Sequence, residues 1–246
     1  MPYIKEYTNL QPKEKRQLMY KRRYKQDRPE WDDSMIILKD LVDKHTKNQS
    51  TVLDVGCGHG NFVIDELRKK FSLAVGIDVS PEVMQKNICL DRCVVGEISS
   101  MPFESQAFDT VISLWVMEHI KNPETCFKEI QRVLKSGGIF AFVTPNKSSA
   151  LIQCRRLMTD NLAKKLVEKI YNRTEADTFE VQYKANTAKD IKKLAEKSGF
   201  KILCLKENAD PTYTSFGTIS YSVSKFFSAL PLSFVKPHLI VILKKP

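Results

Sequence analysis

The chain has 246 residues, 42% of them hydrophobic, and Lys plus Arg outnumber Asp plus Glu by 39 to 29, a formal charge of +10. That length and apolar fraction suffice for one sizeable core, so one α/β domain with insertions is the simplest organisation. Three alternatives fall away: the six scattered cysteines form no CxxC pair or zinc-spaced cluster, no uncharged apolar run approaches the ~20 residues of a membrane span, and the charged start MPYIKEYTNLQPKEKRQ lacks the apolar region of a secretory leader.

The charge is concentrated at the front. Residues 1–30 hold nine Lys or Arg against four Asp or Glu, a net +5, which is half of the excess. Residues 1–45 read as a basic helical segment in which Tyr20, Tyr24 and Trp31 interleave with Arg22 and Arg23. Such a segment can close over a site as a lid, stack nucleic-acid bases, or present a solvated face.

From residue 51 short β-branched runs alternate with amphipathic segments, the pattern of βαβ units and a mostly parallel sheet. Strands are expected over 51–55, 73–77, 93–95, 110–114 and 139–143, with helices over 60–70, 81–87 and 123–134. Ser80-Pro81 reads as an N-cap followed by proline at the first helical position, and Lys135-Ser136-Gly137-Gly138 as the end of the third helix. After Pro145 the regularity stops. Residues 146–184 look helical and cationic, 187–198 is a helix closed by Gly199, and 201–206 and 238–243 are two further strands. Between those strands lies the aromatic stretch 207–237, with Tyr213, Phe216, Tyr221, Phe226, Phe227 and Phe234, long enough to carry a function of its own.

The most informative stretch is VLDVGCGHGNF. A buried strand enters a turn with Gly56, Gly58 and Gly60 at alternate positions and then a helix, so the backbone can approach a ligand without Cβ interference. Dinucleotide sites use GxGxxG; here the third glycine comes one residue early, and Asp54 precedes the turn where it would repel a pyrophosphate. A nucleoside carrying positive charge would instead gain on the order of a few kcal/mol from a partly desolvated carboxylate. Asp78, twenty-two residues after Gly56 at the tip of the second strand, is placed to accept hydrogen bonds from ribose hydroxyls.

VLDVGCGHGNF, VGIDVSPEVM, VVGEISSMPFESQAFDTVISLWVMEHI and EIQRVLKSGGIFAFVTPN resemble, in order and spacing, the motifs of class I S-adenosylmethionine-dependent methyltransferases, in the type 11 group that includes ubiquinone and menaquinone biosynthetic enzymes. The likeness covers about two fifths of the chain, roughly residues 51–146. It implies a Rossmann-like α/β fold: a seven-stranded, mostly parallel sheet with helices on both faces and an antiparallel last strand. It also implies S-adenosyl-L-methionine as cofactor and one methyltransferase domain over 1–246. Within it, 1–45 would be the N-terminal lid, 51–146 the cofactor-binding half, 147–186 a helical insertion and 187–246 the C-terminal half with its 207–237 insertion.

Position by position, the resemblance implies that Asp54, Gly56, Cys57 and Gly58 line the methionine end of the cofactor, with Gly60 allowing close helix packing. Asp78 would bind the ribose and Val79 lie against the adenine. In Glu97-Ile98 the glutamate stands where the family more often has aspartate, as acceptor for the adenine amino group. Leu114 and Trp115 would flank the methyl donor. Transfer from a sulfonium is mainly a matter of alignment, though oxygen nucleophiles gain from a general base, for which His119 in the Glu118-His119 pair is the candidate. Related quinone enzymes carry a further glutamate three residues before that pair, in a metal-assisted site; this chain has Trp115 there, so no metal is expected. His45 and His238 read as structural or exposed. Ser113-Leu114-Trp115-Val116 in place of [DN]PP[YF] turns the expectation away from adenine or glutamine nitrogens.

The acceptor is expected to be a small or lipid-like molecule in a cytoplasmic, reduced setting, with peripheral membrane contact through 207–237 open. An RNA or protein acceptor using the basic N-terminus, and cofactor binding without catalysis, are the alternatives. Oligomeric state is not readable from the chain.

Overall fold

The computed structural model describes residues 12–157 and 180–246. Seven strands form one sheet: β1 (Ser50–Val55), β2 (Phe71–Asp78), β3 (Arg92–Val95), β4 (Phe108–Leu114), β5 (Leu134–Pro145), β6 (Lys201–Asn208) and β7 (His238–Lys244), in the order β3-β2-β1-β4-β5-β7-β6. The first five are parallel, and β7 lies antiparallel between β5 and β6. This is the Rossmann-like sheet expected from the motifs.

The apolar runs are continuous because both faces are covered. Successive residues point to opposite sides of a strand, so Val52 and Leu53, Ala74 and Val75, or Phe140 and Ala141 divide between two cores. One core holds Leu53, Val75, Phe140 and Phe142 under helices α5 (Pro123–Val133) and α7 (Ala188–Lys197). There Phe127 meets Phe140 and Phe142 edge-on at 5.6 and 6.1 Å. The other holds Val52, Ala74, Ala141 and Ile242 under α2 (Ser34–His45) and α3 (Phe62–Glu66). Each fully buried large side chain contributes about 1.5–3 kcal/mol.

Local chemistry moved several boundaries. The helix expected from Gly60 starts at Phe62, because the Asn61 side chain caps it by accepting from the amides of Val63 and Ile64. It gives way at Leu67 to a single 3-10 turn, Arg68–Lys70. The helix after Ser80-Pro81, α4 (Pro81–Met84), is shorter than expected, and Ser80 caps it by position without a side-chain hydrogen bond. Gly137 and Gly138 do not end a helix. They lie inside β5, where Gly137 takes φ +80° and a Cβ on Gly138 would come within 2.8 Å of the Asp109 carbonyl. Of the helical stretch expected over 146–184, α6 (Ala150–Leu157) is formed and 158–179 lies outside the described residues.

The flanks pack on one another. Helix α1 (Pro12–Asp27) and helix α8 (Thr218–Ala229), the latter inside the aromatic stretch, meet where Tyr20 stacks on Tyr221 at 5.3 Å. Residues 1–11 of the basic segment lie outside the described residues. No helix among the described residues is long and apolar enough to cross a membrane.

Candidate functional site

In a parallel sheet the carboxyl ends of the strands share one edge, and a crevice opens there where the strand order reverses, here between β1 and β4. The glycine turn leaves β1 at that point. Gly56, Gly58 and Gly60 have φ of +74°, +43° and +145°. A Cβ on Gly56 would lie 2.4 Å from Cγ2 of Val116, so glycine is needed there for conformation and for space. The Gly56 amide donates to the Ile77 carbonyl at 2.8 Å, and Asn87 Nδ2 reaches the carbonyls of Cys57 and Gly58.

Two carboxylates frame this turn. Asp78 accepts from the Gly58 amide at 2.9 Å and from the Ser80 amide at 3.0 Å, which fixes its orientation and leaves lone pairs on both oxygens. Asp54 is buried. Its Oδ1 accepts from Asn61 Nδ2 at 2.8 Å, while its Oδ2 has no hydrogen-bond partner. Loss of solvent, reinforced by the charge of Asp78 and opposed by the Asn61 bond, pushes Asp54 up to about 7. A buried carboxylate with one unpaired oxygen fits a cationic ligand group.

The other residues singled out in the sequence distribute around this pair. Val79 is 53% exposed beside Asp78, a large apolar side chain left uncovered. Glu97 follows β3, whose Val95 pairs with Asp78, and is exposed, accepting from Ser99; Ile98 is half-buried against the core. Cys57 turns inward against Gly76, so its backbone alone faces the turn, and burial raises its thiol well above the ordinary range.

Residues 53–142 match the family described as "Methyltransferase domain". An uncharacterized protein of Methanocaldococcus jannaschii is 27% identical over 176 residues, 68% of this chain and 68% of that protein. A sterol 4-C-methyltransferase of Caenorhabditis elegans is 34% identical over 97 residues, 36% of this chain and 29% of that protein, so the chain spans under a third of the sterol enzyme's length. Among solved structures, the S-adenosylmethionine-dependent methyltransferase of Mesorhizobium loti superposes with a TM-score of 0.58 over 85% of this chain and 96% of that one, at 16% identity. The chain is an S-adenosylmethionine-dependent methyltransferase, and over residues 53–142 it resembles the class I group. Its methyl donor is S-adenosyl-L-methionine.

The methyltransferase builds the rest of its crevice from long-range contacts. Leu114 ends β4 and packs into the second core, and Trp115 follows at φ +58° with its ring edge-on to His238 at 4.7 Å. His238, read from sequence as structural or exposed, is buried at the start of β7. Its Nδ1 lies 2.9 Å from Ser34 Oγ and its Nε2 lies 3.0 Å from the Tyr213 hydroxyl. Burial lowers its pKa, with Asp210 and Asp33 acting against that and Lys21 adding to it. No local pattern marks these partners, because Ser34 and His238 are 204 residues apart. Asn61, by contrast, was readable as a polar residue between a glycine turn and a helix.

Tyr213 leads into a cavity of about 790 Å³ between α6 and α8, lined mainly by apolar side chains including Leu151, Ile219, Val223, Phe227 and Phe234. His119 sits at the crevice rim. Its Nδ1 is 3.0 Å from the Glu180 carbonyl, which only accepts, so Nδ1 donates there, and Nε2 lies 4.0 Å from Glu118 Oε1. Glu118 is buried and accepts from Thr144. Among the described residues no group of three His, Cys, Asp or Glu is placed to hold a metal ion.

The described aromatics of the N-terminal segment pack into the fold. Tyr20 and Tyr24 are buried with Tyr221, and Trp31 Nε1 donates to the Ala209 carbonyl. Lys21 pairs with Asp33 and Asp210, and Lys25 with Asp32.

Proposed function

We propose that this methyltransferase moves a methyl group to an oxygen, carbon or nitrogen atom of a small, lipid-like acceptor held in the cavity between α6 and α8. One observation carries the reading: residues 115 and 116 reach both halves of the crevice. Val116 lies over Gly56, while Trp115 touches His238, whose ring meets the cavity-lining Tyr213. The sterol methyltransferase among the relatives supports an acceptor of that class.

In this reading the chain is one domain, with 51–146 holding the cofactor and the flanks shaping the acceptor site. Asp54 Oδ2 takes the ammonium group, the backbone of Gly56, Cys57 and Gly58 lies along the methionine portion, and Gly60 brings α3 close. Asp78 takes the ribose hydroxyls, Val79 and Ile98 bracket the adenine, and Glu97 accepts from its amino group. Leu114 and Trp115 flank the transferred methyl. S-adenosyl-L-methionine supplies a methyl on a sulfonium, already joined to a good leaving group. The protein's share is to hold the acceptor atom in line and keep water out, which is worth several kcal/mol in roughly the manner of an intramolecular reaction. Where the acceptor atom is a hydroxyl, His119 Nε2 is the proposed base.

An RNA acceptor finds less support, because Lys21 and Lys25 are already paired within the fold and Tyr20 and Tyr24 are buried. Unpaired cysteines fit a cytoplasmic setting. The test is incubation with isotopically labelled S-adenosyl-L-methionine and fractionated cell extract. Label entering the lipid or small-molecule fraction is expected, whereas label confined to RNA or protein, or absent from every fraction, defeats the proposal.

A further inference from the structure

The cavity between α6 and α8 is apolar along its sides and charged at one point. Leu151, Ile219, Val223, Phe227 and Phe234 form much of its wall, and among the described lining residues Asp210 alone carries a formal charge. That carboxylate is held by its own turn. The Thr212 amide and hydroxyl donate to Asp210 Oδ1 at 2.8 and 2.6 Å, and the 3-10 turn it caps, Pro211–Tyr213, brings Tyr213 to the same cavity. The Asp210 side chain is only 8% exposed.

Its other oxygen is underused. Among the described residues the partner of Asp210 Oδ2 is Lys21 Nζ, 3.9 Å away and beyond hydrogen-bond range, while Lys21 donates to Asp33 Oδ2. Burial works to lower the Lys21 pKa, but Asp210 and Asp33 overcome it and raise it, so the lysine is charged. One ammonium therefore serves two carboxylates, which leaves the trio a net charge of −1. His238 does not make up the difference: burial lowers its pKa and keeps the ring neutral between Ser34 and Tyr213.

A largely buried carboxylate with unfilled acceptor capacity is stabilised by a cation that brings N–H donors, and it repels a second anion. No described residue of the wall offers an anion a counter-charge, because Lys21 lies behind Asp210 and outside the lining. The apolar sides call for a hydrocarbon body on the same ligand.

We propose that the cavity takes an amphiphilic amine, bound as its ammonium with Asp210 Oδ2 as counter-ion and its apolar body against Leu151, Val223 and Phe227. This narrows the class of the acceptor and rests on the reading of the cavity as the acceptor site. While protonated, the nitrogen has no lone pair to receive a methyl group, so Asp210 anchors the acceptor and a different atom reacts.

The experiment is competition for the cavity of the full chain. The reporter is the methyl ester of a fluorescent fatty acid, which is uncharged, and the competitors are n-decylamine, 1-decanol and decanoate near neutral pH, where the amine is cationic and the acid anionic. Decylammonium is expected to displace the ester at about tenfold lower concentration than decanol, and decanoate at about tenfold higher. Asp210→Asn, which keeps a capping side chain, brings decylammonium and decanol to about equal potency. Asp33→Asn, outside the cavity wall, frees Lys21 to turn to Asp210 and weakens decylammonium in the same sense. Calorimetric affinity for S-adenosyl-L-methionine reports the fold of each variant. Equal potency of decylammonium and decanol in the wild type, or decanoate as the strongest competitor, overturns the amine and leaves a lipid-like acceptor standing. A preference for decylammonium that persists in both variants overturns the role of Asp210. Failure of the ester and of all three competitors to bind sinks the lipid-like acceptor and the amine with it.

Discussion

The two sides of the crevice are built on different principles. The cofactor side is local: β1, the glycine turn and the cap of α3 lie within residues 50–66, and Asp78, twenty residues from Gly58, closes the ring of hydrogen bonds. The proposed acceptor side is assembled from the two ends of the chain. Ser34 meets His238, Asp27 accepts from the Tyr221 hydroxyl at 2.8 Å, and Trp31 holds the Ala209 carbonyl, over separations of 178 to 204 residues. The first offers backbone amides and carboxylates held by neighbours in sequence. The second supplies shape, so it can be remodelled without touching the glycine turn.

That contrast gives expected outcomes. Asp78→Ala should weaken binding of S-adenosyl-L-methionine by roughly 1–3 kcal/mol through the loss of charge-assisted hydrogen bonds, with uptake of a fatty-acyl probe unchanged. Calorimetry reads the first and fluorescence the second; equal loss of both would mean that the two sides are not separable. Val223→Trp, which places a larger ring in the cavity wall, should lower probe uptake by about tenfold and leave cofactor affinity alone.

A different kind of effect, read in stability, concerns Asp54. Because burial holds its pKa near 7 in the folded chain, above the roughly 3.9 of an unfolded one, the folded chain binds the extra proton between those values. Ligand-free protein should therefore lose stability as pH rises from about 4 to about 7, by up to about 1.4 kcal/mol per unit, and level off above. Asp54→Asn should flatten that slope in thermal melts. Pairing with the cofactor's ammonium requires the ionised form, so affinity should fall as pH drops below about 7, with proton release on binding. A slope unaltered by the substitution would show that Asp54 does not titrate there.

Most of the sheet was legible because apolar runs covered on both faces leave a plain signal, and all seven expected strands are present. Gly137-Gly138 misled because a positive φ serves a helix end and an irregular strand equally well, and the backbone hydrogen bonds they exchange with Lys245 decided between them. Helix α8 was hidden inside an aromatic stretch whose serines and β-branched residues have weak helical preference. Packing of Tyr221 on α1 is what gives it a buried face.

The sequence alone determined the glycine turn and the two carboxylates beside it, since each depends on backbone conformation set by adjacent residues. Only the tertiary structure decided that His238 is the buried link between Trp115 and Tyr213, that the aromatic ends of the chain pack on one another, and that a cavity opens beside them. Those contacts join residues far apart along the chain, and the free energy that selects them comes from burial and hydrogen bonding that no local pattern encodes.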